Sequence, residues 1–307
     1  MKMFYYPGCT LKEKTTNLND TTLLSTELLG LELVELPEWT CCSATHPLTT
    51  QKIMNLVPQA RILFNVKMLG ENRFTTTCTF CYSTLKRANR LIKDDPLVKK
   101  RINAFLQDDK RIPEYNIDEE VYEFEEYNGE VEVVHLLEVL KNDIGFDSIT
   151  NKIKKELKGL RVAPYYGCKL LRPPKEVKFD DPENPSIMED FIESLGCEVI
   201  DYPFKTECCG SYLSISRPEI AAKSSYKILQ SAQRRGADVI ILTCPLCYYN
   251  LDRKQKEIKS EYPEFKTIPV VFFTQLLAIA LEVEEKVLGF NQHYIDPLPL
   301  FKEKNIL

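Results

Sequence analysis

Ten of the eleven cysteines in this 307-residue chain form two sets of five with the same order. Each set has a lone cysteine, a pair of adjacent cysteines and a C-x-x-C motif. The first set is Cys9, Cys41, Cys42, Cys78 and Cys81, and the second is Cys168, Cys208, Cys209, Cys244 and Cys247. Because thiolate sulfur is the usual ligand of iron–sulfur clusters, metal or cluster ligation is the leading interpretation of this pattern.

Five cysteines per set are one more than the common metal sites use. A zinc ion takes four ligands and a cubane cluster offers four iron corners, so one thiolate is spare or bridges two irons in a cluster that is not a simple cube. Structural zinc, structural disulfides and a thioredoxin-like dithiol are the alternatives. Zinc lacks its usual paired C-x-x-C spacing, disulfides do not suit a reducing compartment, and a dithiol leaves the adjacent pairs without a role. Attachment of c-type haem is excluded because Tyr82 and Tyr248 stand where histidine is required.

The two cysteine sets belong to an internal duplication. Matching cysteines are offset by 159 to 167 residues, and residues 29–37 resemble residues 195–203. In both segments the pattern indicates a helix end, a glycine stop, a strand and a terminating proline. The sequence therefore predicts two similar domains, a first at 1–150 and a second at 151–307 that includes a C-terminal tail.

The cysteines follow predicted strands. The sequence predicts strands at 1–9, 31–36, 74–77, 161–166, 198–202 and 238–243, and helices at 18–29, 48–66, 82–91 and 218–235. Pro58 should kink or split the helix at 48–66. The runs 131–140 and 268–277 predict a fourth strand and a closing helix in each half. We therefore expect an α/β fold of two repeated βαβα-type halves with parallel sheets, in which the cysteines gather at the carboxyl ends of the strands.

The sequence also gives predictions for several residues outside the cysteine pattern. The polar, acidic stretch near 94–130 is predicted to be a helical and loop insertion in the first domain, exposed to solvent. Cys197 matches Leu31 of the first half and is expected to be a buried, inert thiol. His135 is expected to be a packed core residue, His46 is a candidate hydrogen-bond donor to a cluster sulfur, and His293 has no chemical context in the sequence.

Composition excludes several classes of function. A formal net charge of −5 and a pI near 5.5 give no basic surface for nucleic acid. No apolar run approaches the roughly 20 residues of a membrane span, and no signal peptide is recognisable, so a cytoplasmic location is expected. Dinucleotide-binding and P-loop motifs and a ferredoxin cysteine run are absent from the sequence. The chain should therefore belong to a complex whose other members supply electrons.

The repeated motifs resemble those of a known family. A lone cysteine, a Cys-Cys-Gly segment and a C-x-x-C motif, present twice over about 300 residues, are similar to the cysteine-rich CCG-domain proteins and most closely to the B subunit of heterodisulfide reductase. The similarity runs from Tyr5 to the tail at 289–293. The first pair departs from the family pattern, since Ser43 stands where Gly210 stands in the second half, which puts the local turn in doubt.

The resemblance implies two noncubane 4Fe-4S clusters, one held by each set of five cysteines. In that family a small disulfide is reduced between the clusters. The partners are a flavoprotein like the family's A subunit and a ferredoxin-type protein like its C subunit, in an electron-bifurcating complex. In methanogenesis the substrate is the heterodisulfide of coenzyme M and coenzyme B. Two other hypotheses remain: an electron-relay component of a dehydrogenase complex without disulfide chemistry, and a zinc-stabilised binding protein.

Overall fold

The computed structural model describes residues 1–44, 53–109 and 124–307. The hydrogen bond predicted for His46, the start of the helix predicted at 48–66 and part of the insertion near 94–130 lie outside these ranges. The elements and contacts given below are those within these ranges.

The first half alternates strands and helices. Its elements, in chain order, are β1 (Lys2–Tyr5), α1 (Gly8–Glu13), α2 (Thr16–Leu28), β2 (Glu32–Glu35), a 3₁₀ turn (Ile53–Asn55), α3 (Val57–Met68), β3 (Arg73–Thr76), α4 (Thr79–Asp94), α5 (Pro96–Gln107), β4 (Glu132–His135), α6 (Leu136–Val139), a π-helical turn (Leu140–Ile144) and α7 (Phe146–Lys152).

The second half repeats this alternation of strands and helices. Its elements are β5 (Arg161–Tyr165), α8 (Pro174–Val177), α9 (Ile187–Ser194), β6 (Glu198–Val199), a 3₁₀ turn (Ser211–Leu213), α10 (Pro218–Arg234), β7 (Val239–Leu242), α11 (Pro245–Tyr248), a π-helical turn (Tyr249–Arg253), α12 (Gln255–Glu261), β8 (Val270–Phe272), α13 (Phe273–Ala280), α14 (Glu285–Leu288), a 3₁₀ turn (Phe290–Gln292) and α15 (Leu298–Glu303).

The described strands form two parallel sheets with the same topology. Their orders are β2-β1-β3-β4 and β6-β5-β7-β8. The ends of the strands are in register, because Tyr5 pairs with Glu35 and Thr75 in the first sheet, and Leu242 pairs with Tyr165 and Phe272 in the second. The segments that follow the strands therefore emerge along one edge of each sheet. The predicted α/β fold with two repeated halves is confirmed.

The structure refines three local predictions. The first strand ends at Tyr5 rather than at Cys9, because Gly8 has φ +73° and begins α1. Pro58 marks a break rather than a kink: a 3₁₀ turn ends at Asn55, and Pro58 lies in the first turn of α3, where the missing N–H has no intrahelical acceptor. The helix predicted at 82–91 begins at Thr79, which places Cys81 in its first turn.

The described part of the insertion is packed against the first half. Asp95 caps α5 by accepting hydrogen bonds from two backbone N–H groups of its first turn. Tyr127 is fully buried, and the Asn103 side chain bonds both its N–H (2.7 Å) and its carbonyl (2.9 Å). Phe124 stacks on Phe64. The predicted exposed loop is therefore anchored where it returns to β4.

Helices of each half pack against helices of the other half. The helix α2, which follows β1, packs against α13, which follows the last strand of the other half. In the opposite direction α9 packs against α7. The hydroxyl groups of Thr21 and Thr274 meet at 2.8 Å in the first of these contacts. The boundary near residue 150 stays a prediction, and α7 (Phe146–Lys152) runs across it.

None of the helices in the described ranges has the length and apolar character needed to cross a membrane.

Candidate functional site

The first set of cysteines converges at the carboxyl edge of the first sheet. Cys9 lies in α1, the adjacent pair follows β2, and Cys78 is the N-cap of α4. The Sγ atoms of Cys9 and Cys41 are 3.6 Å apart, and those of Cys42 and Cys81 are 3.3 Å apart. Cys41 adjoins Cys42 in the chain, and Cys78 stands three residues before Cys81 in the same C-x-x-C turn. The five cysteines of the first set therefore lie together at this edge of the sheet.

The second set has the same arrangement. The Sγ atoms of Cys209 and Cys247 are 3.5 Å apart, and the N–H of Cys247 donates to Sγ of Cys244 at 3.4 Å. Cys168 and Cys208 are close enough to interact, since Cys208 raises the pKa of Cys168 and Cys168 lowers the pKa of Cys208. In both sets the C-x-x-C cysteines and the second cysteine of the pair are buried, whereas the lone cysteine and the first of the pair reach solvent at least in part. Each site therefore has an open side.

Glycines beside the lone cysteines make room for the sulfurs. A Cβ atom on Gly8 would lie 2.8 Å from Sγ of Cys81, and one on Gly167 would lie 3.4 Å from Sγ of Cys247. Both glycines have positive φ, at +73° and +62°. The turn that presents each lone cysteine therefore requires glycine for its backbone conformation, and in the first half also for space.

Ser43 adopts the same turn as its counterpart Gly210. Their φ angles are +56° and +78°, and their N–H groups donate to Sγ of Cys41 at 3.4 Å and of Cys208 at 3.3 Å. The serine therefore keeps the hydrogen bond that supports the first cysteine of the pair, at the cost of a left-handed conformation for a non-glycine residue. The doubt about this turn is resolved.

The sulfurs of each set strongly affect one another's protonation. The hydrogen bond from Cys41 lowers the pKa of Cys42 to about 5. Contact with Cys42 in turn raises the pKa of Cys81 well above its usual value. In the second set the hydrogen bond from Cys168 lowers the pKa of Cys208 to about 6. Five crowded thiols cannot all ionise without positive charge among them, and iron ions would supply that charge. The donor set therefore fits an iron–sulfur cluster.

No three or more His, Cys, Asp or Glu side chains within the described ranges are arranged to hold a single metal ion.

Cys197 is buried away from both sets, and burial alone raises its pKa to about 12. Its predicted packing as an inert thiol agrees with this placement.

The two histidines within the described ranges, His135 and His293, are structural. His135 is fully buried, its Nε2 lies 3.0 Å from the Thr77 carbonyl, and burial lowers its pKa to about 3, in agreement with the predicted core role. His293 is also buried: Nδ1 lies 3.0 Å from the Val270 carbonyl, and Nε2 lies 2.8 Å from the amide nitrogen of Gln275. The Nε2 atom also contacts Asn17 of the first half at 3.3 Å. No sequence pattern signals this long-range contact.

Tyr212 lies between the two cysteine sets, which sequence reasoning missed. It follows Cys209 by three residues, yet its hydroxyl donates to the Ala44 carbonyl of the first half at 3.1 Å. Its ring lies 5.5 Å from the ring of Phe80, inside the first C-x-x-C motif. Burial raises the pKa of the Tyr212 hydroxyl, and negative charge on Cys168, Cys244 and Cys42, which belong to both sets, raises it further. The two sites therefore flank one region between the halves.

Comparison with known proteins identifies the duplicated unit. Residues 3–86 and 162–252 match the family described as the CCG cysteine-rich domain. These two segments make up more than half of the chain and contain all ten cysteines of the two sets. The chain belongs to the CCG cysteine-rich domain family. The two CCG domains coincide with the repeat recognised in the sequence.

Relatives of this CCG-domain chain match it over nearly its full length. It is 29% identical to the 8-methylmenaquinol:fumarate reductase membrane anchor subunit of Wolinella succinogenes, over 96% of this chain and 98% of that protein. It is 29% identical to the B subunit of the ferredoxin/F420H2-dependent CoB-CoM heterodisulfide reductase of Methanosarcina acetivorans, over 96% and 94%. A protein of Archaeoglobus profundus, named for its likeness to the heterodisulfide reductase B subunit, is 27% identical over 94% of both chains. The resemblance to the heterodisulfide reductase B subunit is confirmed.

A solved structure has a similar fold. The crystal structure of a hypothetical protein from Helicobacter pylori matches 95% of this chain with a TM-score of 0.70 and 15% sequence identity. This chain spans about half of that protein, 51% of its length. At this identity the likeness concerns the fold of the CCG domains alone.

Proposed function

We propose that this chain is the disulfide-reducing subunit of an oxidoreductase complex of the heterodisulfide reductase type. Two noncubane 4Fe-4S clusters are its cofactors, each held by the five cysteines of one half. The observation that carries the proposal is the pair of five-sulfur sites on either side of Tyr212, whose hydroxyl spans the halves to Ala44. Two similar sites beside one region suit a substrate with two sulfur atoms.

When bound, the clusters would supply electrons one at a time to a disulfide between them. The chain's own residues hold and orient the cluster ligands. The N–H groups of Ser43, Gly210 and Cys247 donate to cysteine sulfurs and stabilise negative charge on them. Breaking one disulfide consumes two electrons and two protons and yields two thiols, and we propose that partner proteins deliver the electrons.

The proposed partners are a ferredoxin-type protein and a flavoprotein, similar to the C and A subunits of heterodisulfide reductase respectively. We also propose that the flavoprotein carries out electron bifurcation. Residues 1–150 and 151–307 are proposed to be separate domains of this chain. The heterodisulfide of coenzyme M and coenzyme B is the substrate expected in a methanogen.

A second candidate function is supported by a relative that is as similar to this chain as the heterodisulfide reductase B subunit is. The 29% identical relative from Wolinella succinogenes is named as a component of a menaquinol:fumarate reductase. In that case the clusters would relay electrons between partner proteins, and no disulfide would be cleaved.

Spectroscopy of the anaerobically purified chain tests the two functions. We expect an added organic disulfide, and separately its thiol, to change the electron paramagnetic resonance spectrum of the clusters, because the open side of each site admits a sulfur ligand. A spectrum that ignores both compounds at millimolar concentration would contradict disulfide reduction and favour the relay function.

A further inference from the structure

The residues that follow the two lone cysteines differ in charge. Thr10 follows Cys9 in the first half, and Lys169 follows Cys168 in the second. The neutral hydroxyl of Thr10 lies 3.9 Å from Sγ of Cys9. The side chain of Lys169 ends in a cation. The duplication therefore places a positive charge beside the second site at a position where the first site has a neutral residue.

Lys169 acts on the sulfurs of the second set. Its ammonium lies 5.5 Å from the centre of the Tyr212 ring, in the region between the halves. The pKa of Cys208 is lowered first by Cys168, and then by backbone N–H groups and by the positive charge of Lys169. Lys169 is partly buried and has no carboxylate partner among the described residues. Its charge is therefore not neutralised by an acidic neighbour and is only partly screened by water.

The supports of the ligands, by contrast, are matched in the two sites. The carbonyl of the second cysteine in each pair accepts a hydrogen bond from a buried side-chain amide. Gln59 donates to Cys42 at 2.7 Å, and Asn250 donates to Cys209 at 2.9 Å. The backbone N–H groups that donate to the first cysteine of each pair are matched as well. The two sites therefore differ in charge more than in the bonds that hold their ligands.

The other charges near the sites do not offset Lys169. Arg87 and Arg253 take equivalent positions, six residues after the last cysteine of each set. Lys86 and Asp252 are also equivalent in position and have opposite charges, but neighbours engage both. The Lys86 ammonium lies 3.7 Å from a carboxylate oxygen of Glu138. The Asp252 carboxylate accepts hydrogen bonds from two backbone N–H groups of the C-terminal tail.

A nearby positive charge stabilises the form of a cluster that carries one more electron. The reduction potential of an iron–sulfur cluster depends on the charge, the hydrogen bonds and the solvent exposure around it. Cys9 is more exposed than Cys168, but this difference concerns one sulfur of five, whereas the charge of Lys169 acts on the whole cluster. The second cluster should therefore accept an electron more readily than the first.

We propose that Lys169 raises the reduction potential of the second cluster above that of the first, so that the second cluster accepts the first electron that the partner proteins deliver. The inference rests on the proposed function for the presence of the two clusters, and on the difference between Lys169 and Thr10 for their order of reduction. Lys169 acts through its charge and is not a ligand of the cluster.

A redox titration of the anaerobically purified, cluster-loaded chain, followed by electron paramagnetic resonance, tests this order. Cys9→Ser and Cys168→Ser each remove one cluster and so assign the two signals. We expect the second cluster of the unaltered chain to be reduced at the higher potential. Lys169→Thr should lower that potential, and Lys169→Arg should preserve it because it keeps the charge. Thr10→Lys should raise the potential of the first cluster without altering the second site.

The matched control is Lys286→Thr, which removes an exposed lysine that is paired with Glu284 and should shift neither potential. The inference is overturned by a second-cluster potential that Lys169→Thr leaves unchanged, or by one that lies at or below the first in the unaltered chain. If an added disulfide still changes the spectrum in that case, the proposed function stands without the inference. The expected shifts in a chain whose spectrum ignores disulfides would instead contradict disulfide reduction and support the role of Lys169.

Discussion

The side-chain oxygens of Thr79 and Thr243 lie 2.5 Å apart in the buried interface between the two halves. Thr79 follows Cys78 directly and Thr243 precedes Cys244, so this hydrogen bond joins the two C-x-x-C turns. The two proposed cluster sites are therefore fixed relative to each other by a contact between the turns that carry their ligands.

Removal of one hydroxyl from this contact should destabilise the fold. Thr79→Val leaves the Thr243 hydroxyl buried without its partner, so we expect a loss of about 1–3 kcal/mol in the free energy of unfolding. The double variant with Thr243→Val should recover part of that loss, because no polar group is then left unpaired. Urea unfolding of the cluster-loaded chain measures all three values, and strictly additive losses would contradict the contact.

A pair of glycine substitutions separates backbone strain from crowding of the sulfur. Gly8→Ala and Gly70→Ala both place alanine at a positive φ, +73° and +75°, which costs about 1–2 kcal/mol. An added Cβ at Gly70 meets nothing within 4 Å, whereas one at Gly8 lies 2.8 Å from Sγ of Cys81. We expect both variants to lose stability but Gly8→Ala alone to lose iron from the first site. Full iron content in Gly8→Ala would contradict the predicted crowding.

Exchange of the residues after the two cysteine pairs should have unequal effects. A Cβ on Gly210 would lie 3.0 Å from Cα of Ala221, so Gly210→Ser is expected to disturb the second site. Ser43→Gly removes a side chain from a left-handed position and should change stability by less than about 1 kcal/mol. Iron content and thermal unfolding of both variants test this, and an equally damaging Ser43→Gly would show that its hydroxyl has a role in the first site.

Much of this arrangement could be predicted from local sequence patterns. The repeat of residues 29–37 at residues 195–203 indicated two similar halves, and the spacing of strands and cysteines indicated that the sulfurs meet. The contacts of Thr79 with Thr243, of Tyr212 with Ala44 and of His293 with Asn17 could not be predicted, because they join residues more than 150 positions apart that share no periodic pattern. The turn at Ser43 was in doubt for another reason: the hydrogen bond from its backbone N–H to Sγ of Cys41 does not depend on the side chain, so the residue type does not reveal it.

The buried His293 should make stability depend on pH. Burial lowers its pKa in the folded chain to about 4, below the value of about 6.5 in an unfolded chain. Between these values the unfolded chain binds the extra proton, so this stability is fully present above pH 6.5 and is lost as the pH falls toward 4. We expect the difference in unfolding free energy between the unaltered chain and His293→Gln to shrink by about 2 kcal/mol from pH 7 to pH 5. A constant difference would contradict a buried neutral imidazole.

The most direct test is the iron and acid-labile sulfide content of anaerobically purified single-cysteine variants. The account predicts about eight of each per chain, a loss of about half in Cys9→Ser and in Cys168→Ser, and no loss in Cys197→Ser. Zinc without sulfide in the unaltered chain, or the same loss in Cys197→Ser as in the other two variants, would contradict the assignment of one iron–sulfur cluster to each set of five cysteines.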